Sequence, residues 1–193
     1  MHWIDPACLP ETKGRVTQFL LNPHGEPDGC ILDGRRQVHF PPHLGAQILA
    51  HVAPGDIVTV RGVKPRAADM VAAVSIGVAE GETIVDEGPD HEPEKRHEKA
   101  AAEPAPMEIA GTVAMSLHGP KGELRGALLE DGTSLRMPPH AAAELAEYLT
   151  PGASVHAWGH GVKNAHGCTV EVDEIAHAAD PETERETQPT PQA

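Results

Sequence analysis

Residues 14–62 read GRVTQFLLNPHGEPDGCILDGRRQVHFPPHLGAQILAHVAPGDIVTVRG. The pattern returns without a gap at residues 111–159, as GTVAMSLHGPKGELRGALLEDGTSLRMPPHAAAELAEYLTPGASVHAWG. Most of the identical positions hold Gly, Pro or an apolar residue, the residue types that specify a backbone. A recurrence of this length at one fixed offset indicates a tandem duplication of one structural unit.

Each copy contains the turn and helix-start signals that are typical of several short strands and one helix. Residues 16–21 favour a strand and run into the turn sequence Asn-Pro-His-Gly. Asp33-Gly34 in the first copy and Glu130-Asp131-Gly132 in the second are typical of tight hairpins. A pair of prolines then opens a helix with apolar residues at helical spacing. Two further strands follow, at 56–63 and 70–78 in the first copy and at 154–160 and 168–175 in the second.

The order β-β-β-α-β-β in each copy resembles the OB-fold, a five-stranded Greek-key barrel with a helix between its third and fourth strands. The phrase Val-His-Phe-Pro-Pro-His at residues 38–43, with its flanking glycines, is also similar to bacterial OB-fold proteins of unassigned function. We therefore predict an all-β protein with one short helix per repeat, built as two tandem five-stranded OB-fold-like Greek-key barrels. Closed barrels of this kind leave no sheet edge exposed.

Charge divides the chain into five parts. Residues 14–79 hold six basic and five acidic groups, whereas residues 111–176 hold four basic and eight acidic groups. The stretch 80–110 holds ten acidic and three basic groups, a composition that disfavours a packed core. We predict an N-terminal arm (1–13), a first barrel (14–79), an acidic disordered linker (80–108), a second barrel (109–176) and a disordered acidic tail (177–193).

Several classes of protein are disfavoured by the composition. No apolar run reaches the length of a membrane span, and the N-terminus has no basic region followed by an apolar stretch. The three cysteines are far apart and form no C-x-x-C pair, which argues against a disulfide framework or a thiolate zinc site. No common catalytic motif is present, so we expect a cytoplasmic, non-enzymatic protein without a cofactor and without a membrane partner.

The OB-fold resemblance implies a binding surface for oligonucleotides or oligosaccharides on strands 2 and 3, framed by the loops. Single strands bind such surfaces through a basic groove and aromatic stacking. The first repeat supplies a set of basic groups for this role, namely Arg35, Arg36, His39, Arg61, Lys64 and Arg66. The second repeat supplies fewer candidates, namely Arg136, Trp158 and Lys163.

Alternation along the strands predicts the directions of these side chains. Val58 and Val60 should face the core, which turns Arg61 outward, and Trp158 takes the equivalent outward position in the second repeat. Trp158 either stacks a base or covers the sheet and the other repeat. The net charge of −14 argues against unselective binding to a polyanion, but it leaves room for a local basic face.

Histidine is abundant, so a metal site has to be considered. His156, His160, His166 and Cys168 lie close together in sequence, and zinc sites use His and Cys ligands. Their spacing matches no standard zinc motif, and we predict no metal. Two functions remain: a module that binds single-stranded DNA or RNA weakly, mainly through repeat 1, or a protein-interaction adaptor with two barrels on an acidic linker and no nucleic-acid binding.

Overall fold

The computed structural model describes residues 5–66, 68–78, 81–86, 88 and 103–178. Short 3-10 turns at Pro6–Cys8 and Ala146–Leu149 accompany the regular elements. The first repeat contains β1 (Glu11–Leu21), β2 (Pro27–Leu32), β3 (Arg36–His39), α1 (Pro42–His51), β4 (Ile57–Val63), β5 (Met70–Gly77) and β6 (Thr83–Val85). The second contains β7 (Ala105–His118), β8 (Leu124–Leu129), β9 (Thr133–Arg136), α2 (Pro139–Glu144), β10 (Ser154–Asn164) and β11 (Gly167–His177).

Both repeats close into a five-stranded barrel. In the first, β1 pairs antiparallel with β2 and β4, and β3 closes the barrel by pairing parallel with β5. The second repeat has the same connections, with β7 between β8 and β10 and a parallel β9–β11 pair. In both barrels the helix lies between the third and fourth strands. The predicted fold class, a tandem of OB-fold barrels, is confirmed.

Glycines determine the backbone at a hairpin of the first barrel and at a bulge that both barrels share. Asp33 and Gly34 both have positive φ, 52° and 67°, which is the type I′ geometry that suits a two-residue hairpin. Gly62 and Gly159 lie at equivalent bulges in β4 and β10. A Cβ at Gly159 would collide with the carbonyl oxygen of Glu171 on β11, so the strands approach this closely only without a side chain.

Each barrel has its own apolar core. The core of the first barrel contains Phe19, Phe40 and Val60, and Ile48 of α1 closes one of its ends. The core of the second barrel includes Met137, which takes the position of Phe40. Arg61 and Trp158 lie outside these cores on β4 and β10, as the alternation predicts.

The segment 80–108 is strand at both of its described ends. Thr83–Val85 form β6, which adds to the edge of β5 and buries Ile84 in the first core, and β7 already begins at Ala105. Residues 89–102 and 179–193 lie outside the described residues, so the disorder expected there stays a prediction. Within the described part of the chain, no helix is long and apolar enough to span a bilayer.

The two barrels pack directly against each other. Leu20 and Ile31 of the first barrel form a separate buried cluster with Leu117 and Leu128 of the second. Leu117 and Leu128 are the repeat equivalents of Leu20 and Ile31 at the offset of 97. The contact therefore has approximate two-fold symmetry, with the same outward-facing positions of both copies meeting at its centre.

Candidate nucleic-acid interface

Four basic side chains lie at one end of the first barrel. Because β3 and β5 run parallel, with Gln37 opposite Met70, the residues that precede the two strands leave the barrel at the same end. These residues are the β2–β3 hairpin and the β4–β5 loop. Arg36 Nε lies 3.5 Å from Asp69 Oδ1, which joins the hairpin to the loop. We call Arg35, Arg36, Lys64 and Arg66 the basic end.

A proline separates the loop of the basic end from the sheet. Pairing between β4 and β5 stops at Val63 opposite Ala72, and Pro65 cannot donate a ladder hydrogen bond. The equivalent hairpin in the second barrel stays paired as far as Asn164 opposite Gly167. Lys64 and Arg66 are consequently exposed on an open loop.

Most of the basic end is available to a ligand. Arg35, Lys64 and Arg66 take part in no ion pair among the residues that the structure describes, and all three are exposed. Arg61 is different: its Nη2 lies 2.6 Å from Glu11 Oε2 on β1. The charge of Arg61 is therefore compensated by a carboxylate on the neighbouring strand.

Arg136 lies between the barrels rather than on a free surface. Its Nη2 and Nη1 donate to the two carboxylate oxygens of Asp28 at 2.6 and 2.9 Å. Asp28 faces the second barrel because β1 and β2 shift register between Leu20 and Leu21. The side chains of Asp28 and Arg136 are 8% and 20% exposed, so this is a largely buried, two-pronged ion pair.

A buried amide forms a second polar contact between the barrels. Gln37 Nε2 donates to the His118 carbonyl oxygen at 2.8 Å, and the His118 N–H donates to Gln37 Oε1 at 2.8 Å. At the edge of the contact, Gln18 Nε2 donates to the Gly132 carbonyl at 3.2 Å, and Asn164 Nδ2 donates to the Gly25 carbonyl at 2.9 Å. The second barrel thus occupies the outer face of β2 and β3.

His39 points out of the first barrel and into this contact. Burial lowers the pKa of His39. The carboxylate of Asp28 opposes this shift and the guanidinium of Arg136 reinforces it. Glu123 and Arg125 have weaker effects, which raise and lower the pKa respectively. Burial also lowers the pKa of His118, and Glu123 opposes that shift. Both imidazoles are therefore held in the neutral form more strongly than a free histidine.

Trp158 lies on the outer surface of the second barrel among carboxylates. It is 36% exposed, and its ring stacks on His156 with centroids 4.1 Å apart. Glu108 on β7 and Glu174 on β11 lie directly opposite it in register. Because these carboxylates repel phosphate, the face fits a cation better than a polyanion.

Lys163 lines a cleft between the barrels, together with His166, Cys168 and Phe19. His160 is bonded elsewhere, with Nδ1 3.0 Å from Asp173 Oδ2. The described residues include no group of three or more His, Cys, Asp or Glu side chains arranged to hold a metal ion.

The predicted site residues thus do not form one surface. Arg35, Arg36, Lys64 and Arg66 come together, and His39 and Arg136 lie in the inter-barrel contact. Lys163 lines the cleft between the barrels, and Arg61 and Trp158 lie singly on the first and second barrel. Sequence reasoning missed Asp28 and Gln37, which hold the barrels together. The recurrence of Leu20 and Ile31 as apolar outward positions in both copies was the available signal for this contact.

No protein-family model matches the chain, and no curated protein is significantly similar to it in sequence. Among solved structures, the wild-type single-stranded DNA-binding protein from Thermus aquaticus is similar at 14% identity and a TM-score of 0.28, over 95% of this chain and 94% of that one. A deletion mutant of the same protein is similar at 14% identity and a TM-score of 0.28, over 88% and 93% of the two chains. Such values carry no argument about function. The connections of its own strands establish the chain as a tandem of two OB-fold barrels.

Proposed function

We propose that this chain is a non-enzymatic tandem OB-fold module that binds single-stranded nucleic acid weakly, through the basic end of the first barrel. The observation that carries the proposal is the convergence of four cations on one end of a barrel. Three of them are exposed and unpaired among the described residues. Exposed Lys and Arg side chains on loops are the groups that neutralise a phosphate backbone.

The second barrel shows what the same scaffold looks like without this surface. The positions equivalent to Arg35, Arg36, Lys64 and Arg66 hold Gly132, Thr133, Gly161 and Lys163. One cation replaces four in a barrel with the same strand connections. The difference lies in the side chains that a phosphate ligand would use, which supports the assignment of binding to the first barrel.

The test is a titration of the full chain with fluorescently labelled oligothymidylate and oligouridylate, read by anisotropy. A site that neutralises three or four phosphates should lose about 20- to 50-fold in affinity between 50 and 200 mM salt. Lys64→Ala with Arg66→Ala should remove most of the binding. The matched control is Lys13→Ala with Lys121→Ala, which removes the same charge from exposed positions outside the basic end. Equal losses in both variants, or no binding at low salt, would refute the proposal.

A second function is favoured by the surface around Trp158. Glu108 is bonded to His156 Nε2 at 2.7 Å, whereas Glu174 takes part in no ion pair among the described residues. The exposed indole beside Glu174 is therefore suited to a cationic side chain, which gains both charge attraction and contact with the ring. This arrangement favours the adaptor hypothesis, in which the second barrel docks a basic segment of a partner protein.

Fluorescence of Trp158 separates the two functions in a chain that carries Trp3→Phe. Under the adaptor hypothesis, an arginine-rich octapeptide should change the emission, and Trp158→Ala should abolish peptide binding. Under the nucleic-acid hypothesis, oligothymidylate binds with little change at Trp158, because the basic end belongs to the other barrel. An emission change with the oligonucleotide alone would contradict the placement of the nucleic-acid site.

A further inference from the structure

Each barrel covers the outer face of the second and third strands of the other, which are β2 and β3 in the first barrel and β8 and β9 in the second. This is the face on which OB-folds bind oligomers. In the first barrel it carries Ile31, Gln37 and His39, and in the second it carries Leu128 and Arg136, all of which lie in the inter-barrel contact. The surface that the fold offers to a ligand is therefore filled by the chain itself.

The groups that fill this surface have the chemistry of a nucleic-acid ligand. Asp28 presents two anionic oxygens to the guanidinium fork of Arg136, the same arrangement by which Arg holds a phosphate. The main chain of His118 presents one acceptor and one donor to the amide of Gln37. A paired acceptor and donor is also what the edge of adenine presents to Gln.

We infer that the inter-barrel contact is a latent binding surface for single-stranded nucleic acid, closed in this structure by groups that imitate a phosphate and a base edge. Opening the contact exposes Arg136 on the second barrel, and it exposes Gln37 with the apolar side chains of Leu20 and Ile31 on the first. The inference rests on the proposed function for the class of ligand, but it uses residues other than the basic end.

Opening is compatible with both barrels staying folded. The cluster of Leu20, Ile31, Leu117 and Leu128 is separate from the two barrel cores. Nineteen residues connect Val85 of β6 to Ala105 of β7, a length whose fully extended reach is about 60 Å. Opening therefore costs the free energy of the inter-barrel contact. The apparent affinity of the latent surface equals its intrinsic affinity multiplied by the fraction of open molecules.

The test uses the full chain with Leu117→Ser and Leu128→Ser, which weaken the contact without changing any charge. Small-angle X-ray scattering reports the separation of the barrels, and anisotropy with labelled oligothymidylate reports binding at fixed salt. We expect an increase in radius of gyration and an affinity at least about tenfold higher than that of the unmutated chain. Adding Arg136→Gln to the opened chain should remove this gain. An opened chain that binds no more tightly, or more weakly, overturns the inference.

Hydrogen exchange on the unmutated chain gives a second measurement that does not depend on the variant folding. The His118 amide proton is bonded to Gln37 Oε1, so it should exchange faster when saturating oligonucleotide is present. Unchanged exchange at His118 under saturation overturns the inference.

The two proposals fail in different ways. If the unmutated chain binds through Lys64 and Arg66 but the opened chain shows no gain, only the latent surface is refuted. If the opened chain still gains affinity when Lys64→Ala and Arg66→Ala are added, the two surfaces are independent. An opened chain that gains affinity for a protein segment and none for an oligonucleotide refutes nucleic acid as the occupant.

Discussion

Two arginine–carboxylate pairs in this protein have the same contact distance and different burial, which allows the contribution of burial to be measured. Arg136–Asp28 and Arg61–Glu11 both have a shortest N–O distance of 2.6 Å. The side chains of the first pair are 20% and 8% exposed, and those of the second are 35% and 48% exposed. Removing Arg136 leaves the Asp28 carboxylate buried without its counterion, whereas removing Arg61 leaves Glu11 in water.

We expect Arg136→Ala to lower the free energy of unfolding by about 3 kcal/mol, the lower end of the range for a broken buried pair, because Arg136 keeps some contact with solvent. Arg61→Ala should cost about 0.2–1 kcal/mol. For a chain of this size, a loss of 3 kcal/mol corresponds to a fall in melting temperature of about 6–12 °C. Replacing both partners by apolar residues, Asp28→Leu with Arg136→Met, should return the stability to within about 1 kcal/mol of the unmutated chain.

Urea denaturation followed by circular dichroism, together with calorimetry, measures these differences. If the two barrels unfold independently once the contact is weakened, Arg136→Ala will show two transitions in place of one. Equal destabilisation by Arg136→Ala and Arg61→Ala would refute the argument that burial sets the contribution of each pair. A strongly destabilised Asp28→Leu/Arg136→Met variant would refute the argument that the unpaired carboxylate is the source of the loss.

Three further predictions concern other groups. Burial holds the pKa of His39 below its ordinary value of 6.5, so the unfolded chain binds a proton at this residue more readily than the folded chain. The contribution of His39 to stability is therefore complete above about pH 6.5 and is lost as the pH falls below it. The difference between the urea midpoints at pH 7.5 and pH 5.5 should be smaller in His39→Gln than in the unmutated chain. Burial raises the pKa of the Cys30 thiol to about 12, so iodoacetamide at pH 8 should label the exposed Cys8 in the native chain and label Cys30 only after unfolding; native labelling of Cys30 would contradict its placement in the core. Gly159→Ala should lower the free energy of unfolding by about 1–3 kcal/mol, because the added Cβ meets a carbonyl oxygen of the neighbouring strand. In the same urea experiment Gly77→Ala, whose Cβ makes ordinary contacts, should lower it by less than about 1 kcal/mol.

The fold was predictable because its signals are local. Asp33-Gly34 specifies a type I′ hairpin from two adjacent residues, and both have the positive φ angles that this turn requires. Proline at the start of α1 and glycine at the bulge of β4 act in the same way, through the backbone of one or two residues. The duplication repeated the proline and glycine signals at equivalent positions, Pro139 for Pro42 and Gly159 for Gly62, and so strengthened the interpretation of the whole pattern.

The candidate site was predictable only in part, because its surroundings depend on contacts between distant residues. With Val38 and Phe40 in the core, alternation turns His39 outward from the first barrel, but the pattern of one strand does not show that a second barrel covers it. Arg136 meets Asp28 across a sequence separation of 108 residues. The register shift that turns Asp28 toward the second barrel cannot be predicted from the residues of β2. The four residues of the basic end come together because the two segments that precede the neighbouring parallel strands β3 and β5 emerge at the same end of the barrel.

The duplication also explains why the first barrel pairs with the second. Under the approximate two-fold symmetry, Asp28 corresponds to Arg125, and His39 corresponds to Arg136. Pairing of unlike barrels places Asp28 against Arg136 and leaves Arg125 near a histidine whose neutral form burial favours. Two first barrels would set Asp28 against His39 and lose the guanidinium fork, and two second barrels would set Arg125 against Arg136, a repulsion between like charges. Divergence at two positions therefore disfavours both like pairings, so the contact within one chain is the one that its charges select.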